Sequence, residues 1–145
     1  MSSSKFISKE EQELIVKAIE AAELNTSGEI RVHIESVCNG DPVLRAVKVF
    51  NKLKMFNTKE RNGVLIYLAS KSKKFAIIGD TGINEKTPEN FWDKEKELLL
   101  NHLKEGNTTQ GIAAAITMAG ENLKKHFSYQ SDDINEQSNE ISFGD

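Results

Sequence analysis

The sequence predicts an α/β fold, a three-layer α/β/α sandwich in which a small mixed sheet lies between helices on both faces. Two short apolar runs, Val64–Ala69 and Phe75–Gly79, do not alternate apolar with polar residues, which is typical of strands buried on both faces. A short polar and basic link joins them, so they are predicted to form a central β-hairpin. The other segments give the order helix, strand, helix, hairpin, helix, helix, which favours a layered α/β domain.

The first helix is predicted over about Lys9–Glu23, because Ser8 and Glu11 have the spacing of a capping box and apolar residues then return at helical intervals. The next segment alternates and is predicted to be a strand with one polar face. Its apolar residues are Ile30, Val32 and Ile34, and its polar residues are Glu29, Arg31, His33 and Glu35. We expect Glu29 and His33 to be exposed on that face.

Three more helices follow from start and stop signals. Asp41-Pro42 can cap and open a second helix that runs to about Lys54. Thr87-Pro88 has the same pattern and predicts a third helix, which ends near Glu105-Gly106. A fourth helix follows residues 107–109 and carries Lys124, Lys125 and His126 in its last turn.

Composition predicts one domain, residues 1–127, and a disordered acidic tail, residues 128–145, that is rich in Ser, Gln, Asn, Asp and Glu. The formal net charge of -3 provides no broad basic field, so nucleic acid is not an expected partner. No stretch has the length and apolarity of a signal sequence or a membrane span, so we expect a soluble cytoplasmic monomer without membrane insertion. A single cysteine, Cys38, excludes an intramolecular disulfide.

The polar ends of the hairpin form the candidate site. Antiparallel pairing brings Asn62-Gly63 beside Gly79-Asp80, and a parallel pairing of the first strand with the hairpin would add Glu29 to the same edge. Asp80 follows a buried strand between glycines, where its carboxylate and nearby carbonyls are the oxygen ligands that Ca²⁺ or Mg²⁺ prefers. The alternative interpretation is that Asp80 only caps a turn through its side chain.

Asp93 and Glu29 are the two further candidate carboxylates for this cation. Asp93 lies near the start of the third helix, where the helix dipole alone also favours an acidic residue. The alternative interpretation of Glu29 is an ordinary exposed strand residue. Thr81, Gly82 and Trp92 complete the candidate edge. The simplest interpretation of Trp92 is a core residue.

Several segments, in this order and at this spacing, resemble the TPM domain family: Ser8–Glu11, Thr26–Val32, Arg61–Leu65, Ile78–Ile83, Phe91–Asp93 and Gln110–Ile112. The resemblance extends from about Phe6 to Phe127 and is strongest to small bacterial members that end in a His-Phe pair. It implies a three-layer α/β/α fold and, for some members, a divalent-cation site. One plant relative from the thylakoid lumen is described as an acid phosphatase.

We therefore expect a domain that binds Ca²⁺ or Mg²⁺ at the sheet edge. One alternative is a metal-dependent phosphatase-like hydrolase at the same edge, although the chain has no P-loop and no Gly-x-Ser-x-Gly elbow. Another is a protein-interaction module whose acidic tail or cleft contacts a partner, with a cation that only orders loops. The simplest interpretation of Lys71, Lys73 and Lys74 is that they are solvated charges of the hairpin turn, and the alternative is a docking point for an acidic partner. Whether the domain is an enzyme stays open at this point.

Overall fold

A computed structural model describes residues 7–128 and 138–144. They form one four-stranded sheet with helices on both faces, which confirms the predicted α/β class. The elements in chain order are α1 (Lys9–Glu23), β1 (Glu29–Glu35), α2 (Pro42–Lys52), β2 (Gly63–Ala69), β3 (Lys74–Gly79), α3 (Thr81–Asn84), α4 (Asp93–Lys104), α5 (Thr108–Lys124) and β4 (Ser142–Phe143).

The strand order in the sheet is β3-β2-β1-β4. Strands β2 and β3 pair antiparallel, and β1 runs parallel to both β2 and β4. The predicted hairpin and the predicted parallel pairing of β1 with β2 are both confirmed. The hairpin is not central, however, because β3 lies at the edge of the sheet and β1 takes the inner position beside β2.

The sheet separates two apolar cores. On one face, the apolar side of β1, with Ile30, Val32 and Ile34, packs with α1, α4 and α5. On the other face, Leu65 and Tyr67 of β2 pack against α2. Because β2 contributes alternate residues to both cores, all seven of its residues are buried, as its uninterrupted apolar sequence predicts.

Side-chain caps fix the starts of α1 and α2. Ser8 and Glu11 form the predicted capping box of α1, and Asp41 caps α2 by accepting a hydrogen bond from the Val43 N–H at 2.8 Å. Helix α4 begins at Asp93 and not at Pro88. Thr87 does not cap that helix, since its hydroxyl donates to the Ile83 carbonyl of the short helix α3.

The chain segment 138–144 differs from the disordered tail that composition predicts. Ser142 and Phe143 form β4 on the free edge of β1, and the Gly144 N–H donates to the Ile34 carbonyl at 2.8 Å. Ile141 and Phe143 pack against the apolar core, so two apolar residues in a polar stretch are enough to dock it. Residues 129–137 and 145 lie outside the described part of the chain, and the division at residue 127 stays a prediction.

The polar face of β1 is buried, which contradicts the expected exposure. Glu29 is 3% exposed, His33 6% and Glu35 4%. Segment 138–144 and the side chains of α2 and β2 cover this face, as shown by the hydrogen bond of 2.9 Å between His33 Nδ1 and Ser142 Oγ. Burial of several ionisable side chains requires partners, and these partners define the second cluster described below.

Candidate functional site

Three turns meet at the predicted edge of the sheet. In the sheet register Glu29 lies opposite Gly63, and Val64 lies opposite Gly79. The Asp80 N–H donates to the Gly63 carbonyl at 2.9 Å, and the Glu29 N–H donates to the Asn62 carbonyl at 3.3 Å. The predicted convergence of these turns is therefore confirmed.

Asp80 is held in place by an arginine and by its own helix. Arg61 Nε donates to Asp80 Oδ2 at 2.6 Å and Arg61 Nη2 donates to Oδ1 at 2.8 Å, which is a bidentate ion pair. The Asp80 side chain is only 5% exposed, whereas that of Arg61 is 47% exposed. Oδ1 also accepts from the Thr81 N–H at 2.7 Å, so the capping role considered for Asp80 is confirmed at the start of α3.

Gly82 fixes the distance between α3 and the turn that carries Arg61. The Gly82 N–H donates to the Arg61 carbonyl at 2.8 Å. A Cβ atom at Gly82 would lie 2.1 Å from the Glu60 carbonyl oxygen and 2.6 Å from that of Arg61, too close for any other residue without a backbone shift. Arg61 itself has a positive φ of 51°, and this left-handed turn directs its guanidinium to Asp80.

Asn62 connects the same turn to the chain before β1. It is 1% exposed, and its Nδ2 donates to Ser27 Oγ at 3.2 Å. Ser27 Oγ in turn donates to Glu60 Oε2 at 2.6 Å. These side chains link two of the three turns, so the edge is a preformed polar surface.

Glu29 lies at this edge beside a second carboxylate, that of Glu23 at the end of α1. Glu23 Oε2 accepts a hydrogen bond from the Ile30 N–H at 2.8 Å. Burial and, to a smaller extent, the negative charge of Glu29 raise the pKa of Glu23 to about 8. Glu23 therefore keeps its proton at neutral pH, which limits the negative charge next to Glu29.

The three predicted carboxylates do not form a cluster. Within residues 7–128 and 138–144, no group of three or more His, Cys, Asp or Glu side chains is arranged to hold a metal ion. Asp93 is an exposed residue in the first turn of α4. Trp92 is buried and packs edge-to-face on Phe91 with 4.6 Å between ring centroids, which confirms it as a core residue. A cation at the edge would therefore be held by Asp80 with backbone and solvent oxygens.

A second polar cluster, which sequence reasoning missed, surrounds Glu35 at the opposite end of β1. Glu35 accepts hydrogen bonds from Arg45 Nε and Nη2, both at 2.8 Å, from the Tyr67 hydroxyl, and from His33 Nε2 at 3.1 Å. We call Glu35, Arg45, Tyr67 and His33 the Glu35 cluster. The one sequence signal for it was a polar strand face next to an arginine on the following helix, which does not distinguish a buried face from an exposed one.

The electrostatics of the Glu35 cluster fix its protonation states. Burial alone would raise the pKa of Glu35, but the hydrogen bonds from Arg45, Tyr67 and His33 outweigh burial and lower it to about 2. Burial lowers the pKa of His33 in spite of the adjacent Glu35 carboxylate, so the imidazole is neutral at pH 7. The cluster therefore contains one carboxylate and one guanidinium, whose charges cancel.

Solved structures with the same fold come from bacteria. The NMR structure of the BA42 protein from the psychrophilic Bizionia argentinensis is 48% identical to this chain, with a TM-score of 0.89 and coverage of 94% of each chain. The N-terminal domain of a P. gingivalis protein is 16% identical, with a TM-score of 0.69 over 86% of this chain and 82% of that one. The N-terminal domain of the cg2496 protein from Corynebacterium glutamicum is 18% identical, with a TM-score of 0.63 over 91% and 82%.

The two structures of low identity support the fold alone, whereas BA42 is a relative across nearly the whole chain. No curated protein matches the sequence. In the described residues, none of the helices has the length and apolarity needed to cross a bilayer. The model of the TPM domain matches residues 1–122, which include helices α1 to α4, most of α5, and strands β1 to β3. The chain therefore belongs to the TPM domain family.

Proposed function

We propose that this TPM domain binds a divalent cation, Ca²⁺ or Mg²⁺, at the edge where the three turns meet, with Asp80 as the carboxylate ligand. The observation that supports the proposal is the asymmetric ion pair at this edge. The Asp80 carboxylate is buried, while its counter-charge comes from a half-exposed arginine that reaches it from the surface. A divalent cation would supply positive charge at the same place.

Exchange of Arg61 for a cation is physically plausible because Arg61 can be rehydrated when it leaves. Its side chain is 47% exposed, and an exposed guanidinium loses little when it returns to water. Asp80 cannot follow it, since β3 and the first turn of α3 hold its backbone. The carboxylate left behind would be buried and unpaired, and this cost favours binding of a replacement cation.

The ligand set implies weak binding. One carboxylate, backbone carbonyls and water form a site of low charge, and such Ca²⁺ sites have dissociation constants of roughly 10⁻⁴–10⁻³ M. Arg61 lowers the apparent affinity further because it competes for both carboxylate oxygens. Binding at millimolar concentrations of either ion is therefore the expected result.

The test is a titration of the full chain with CaCl₂ and with MgCl₂, followed through backbone amide shifts. We expect saturable shifts at residues 79–82 that disappear in Asp80→Asn. Arg61→Gln should bind roughly threefold more tightly, because the competitor is gone. Lys59→Gln removes the same unit charge two residues away and is the matched control, with affinity close to that of the wild type.

Two outcomes would overturn the proposal. If the amide shifts of residues 79–82 do not change at a cation concentration 20-fold above the expected dissociation constant, a cation site there is excluded. Arg61→Gln that binds no better than Lys59→Gln would show that the ion pair does not compete. Asp93→Asn and Glu29→Gln, in the same titration, test the other two predicted ligands.

Phosphatase activity stays a prediction that derives from the family resemblance, and an interaction role through the acidic tail or the cleft stays a prediction from the sequence. Turnover of 4-nitrophenyl phosphate by the wild type and its loss in Asp80→Asn would support a metal-dependent hydrolase at this edge. Equal turnover in both proteins would assign the activity to a contaminant.

A further inference from the structure

A separate cleft of about 900 Å³ lies at the far end of β1, between α2 and the end of β4. The chain leaves β1 at Glu35, forms the loop 36–41 and enters α2, which leads to β2 on one side of β1. On the other side, Phe143 and Gly144 at the end of β4 line the opposite wall. The cleft thus lies outside the carboxyl ends of two parallel strands, β1 and β4, and this is the end of an open α/β sheet at which ligands bind.

The cleft is built before any ligand arrives. Hydrogen bonds to its backbone hold the loop 36–41, since the Lys71 N–H donates to the Ser36 carbonyl at 2.8 Å and the Lys74 side-chain Nζ donates to the Gly40 carbonyl at 2.9 Å. The Cys38 N–H donates to Ser72 Oγ at 2.9 Å. Preformed clefts of 300–1,000 Å³ are the usual size for small-molecule sites.

The charges that line the cleft are not balanced. Its two carboxylates, Glu35 and Asp41, are already held by donors of this chain, namely the Glu35 cluster and the N-terminus of α2. Lys48 and Lys52 line the same cleft from successive turns of α2, and neither forms an ion pair within the described part of the chain. Among the residues that the structure describes, the free charge that faces the cleft is therefore positive.

The same wall carries exposed apolar side chains. Leu44 is 64% exposed and Val37 is 48% exposed, and both line the cleft. Leu44 lies one helical turn before Lys48, which lies one turn before Lys52, so an apolar surface and two cations follow one another along α2. A ligand that matches this order has an apolar body and an anionic group.

We propose that this cleft is a binding site for a small organic anion with an apolar body. It is independent of the proposed cation site, which lies at the other end of β1. Lys48 and Lys52 attract the anionic group, and Leu44 and Val37 contact the apolar body. Arg45 stays paired with Glu35 and keeps α2 at a fixed distance from β1. The site binds its ligand and performs no reaction in this proposal.

The test uses naphthalene-2-sulfonate as the probe and 2-naphthol as its uncharged analogue, each titrated into the ¹⁵N-labelled full chain. We expect saturable amide shifts for the sulfonate in residues 36–48, and at least about fivefold weaker binding of 2-naphthol. The double variant Lys48→Glu/Lys52→Glu should weaken sulfonate binding at least about fivefold. Leu44→Ser, at an exposed position, should weaken both compounds.

The matched control is Lys94→Glu/Lys104→Glu, which makes the same charge change on exposed residues of α4. Shifts that do not saturate, or that map outside residues 35–52 and 143–144, would overturn the proposal. The proposal would also be overturned if the two double variants weakened sulfonate binding equally, because the effect would then come from net charge and not from this cleft. Amides 79–82 report the cation site separately, so failure of one proposal leaves the other measurable.

Discussion

Replacement of Arg45 by alanine should destabilise the fold in a pH-dependent way. Arg45 makes two charge-assisted hydrogen bonds of 2.8 Å to the Glu35 carboxylate, which is 4% exposed as a residue. The variant leaves that carboxylate with the Tyr67 hydroxyl and the neutral His33 as donors. Glu35 then keeps its negative charge without a counter-charge.

The magnitude follows from two estimates. Removal of one partner from a buried ion pair costs about 3–5 kcal/mol, but the Arg45 side chain is 41% exposed, so water can partly replace it. Independently, a pKa of about 2 for Glu35, against an ordinary value of 4.5, corresponds to at most about 3 kcal/mol, less after allowance for solvent screening. We expect Arg45→Ala to lose about 2–3 kcal/mol at pH 7.

The sign of the pH dependence follows from the lowered pKa. The stability that ionised Glu35 adds is complete above the unfolded value near 4.5 and is lost as pH falls toward 2. The difference in unfolding free energy between the wild type and Arg45→Ala should therefore be largest at pH 6–8 and should shrink between pH 4.5 and pH 3. Urea unfolding over this range measures it, and ¹³C titration of the Glu35 carboxyl should show a higher pKa in the variant.

Lys48→Ala, one turn further along α2 and exposed, is the control and should stay within about 0.5 kcal/mol of the wild type. A loss in Arg45→Ala that is equally large at pH 3 and pH 7 would refute the reasoning, since the effect would then come from lost packing and not from charge.

Three further predictions concern Glu95, Gly82 and Glu23. Glu95 is fully buried with Oε1 unsatisfied, and burial raises its pKa. Glu95→Gln should therefore gain stability relative to the wild type as pH rises from 4 to 8, and a pH-independent difference in thermal unfolding would contradict this. Gly82→Ala should lower the free energy of unfolding in urea by about 2–3 kcal/mol, because its Cβ would lie 2.1 Å from the Glu60 carbonyl oxygen. Gly40→Ala is the control and should be nearly neutral, since a Cβ there has nothing within 4 Å. Equal effects of the two substitutions would show that the contact at Gly82 relaxes freely. Burial raises the pKa of Glu23 to about 8, so the wild type should lose stability as pH rises from 4.5 to 8, and Glu23→Gln should lose less. Parallel curves of unfolding free energy against pH for the two proteins would exclude the raised pKa.

Local sequence signals predicted most of the fold. The capping box of Ser8 and Glu11, the Asp41-Pro42 helix start and the two apolar runs of the hairpin each depend on neighbours within a few residues, so the chain itself specifies them. The Pro88 start of α4 was wrong because the turn after α3 uses Thr87 as a donor to Ile83. Strand β4 could not be predicted, since two residues pair only because the β1 edge is open beside them.

The candidate edge was predicted in position but not in its pairing. Strand register alone brings Glu29, Asn62 and Asp80 together. The sequence predicts this register because it indicates a parallel pairing of β1 with β2 and an antiparallel pairing of β2 with β3. The bidentate partner of Asp80 is Arg61, whose positive φ depends on the packing of its turn against Gly82. Whether Asp80 also takes a cation is the question that the titration addresses.

The sequence by itself determined the layers, the helix caps and the edge at which the turns meet, because each follows from periodicity, capping or strand direction over short distances. Only the tertiary structure decided which polar residues are buried. Alternation along β1 shows that Glu29, His33 and Glu35 share a face, but the following helix α2 and the distant segment 138–144 fold over it. That covering turns an ordinary polar strand face into a buried ion pair beside a cleft, and no local signal in the sequence records it.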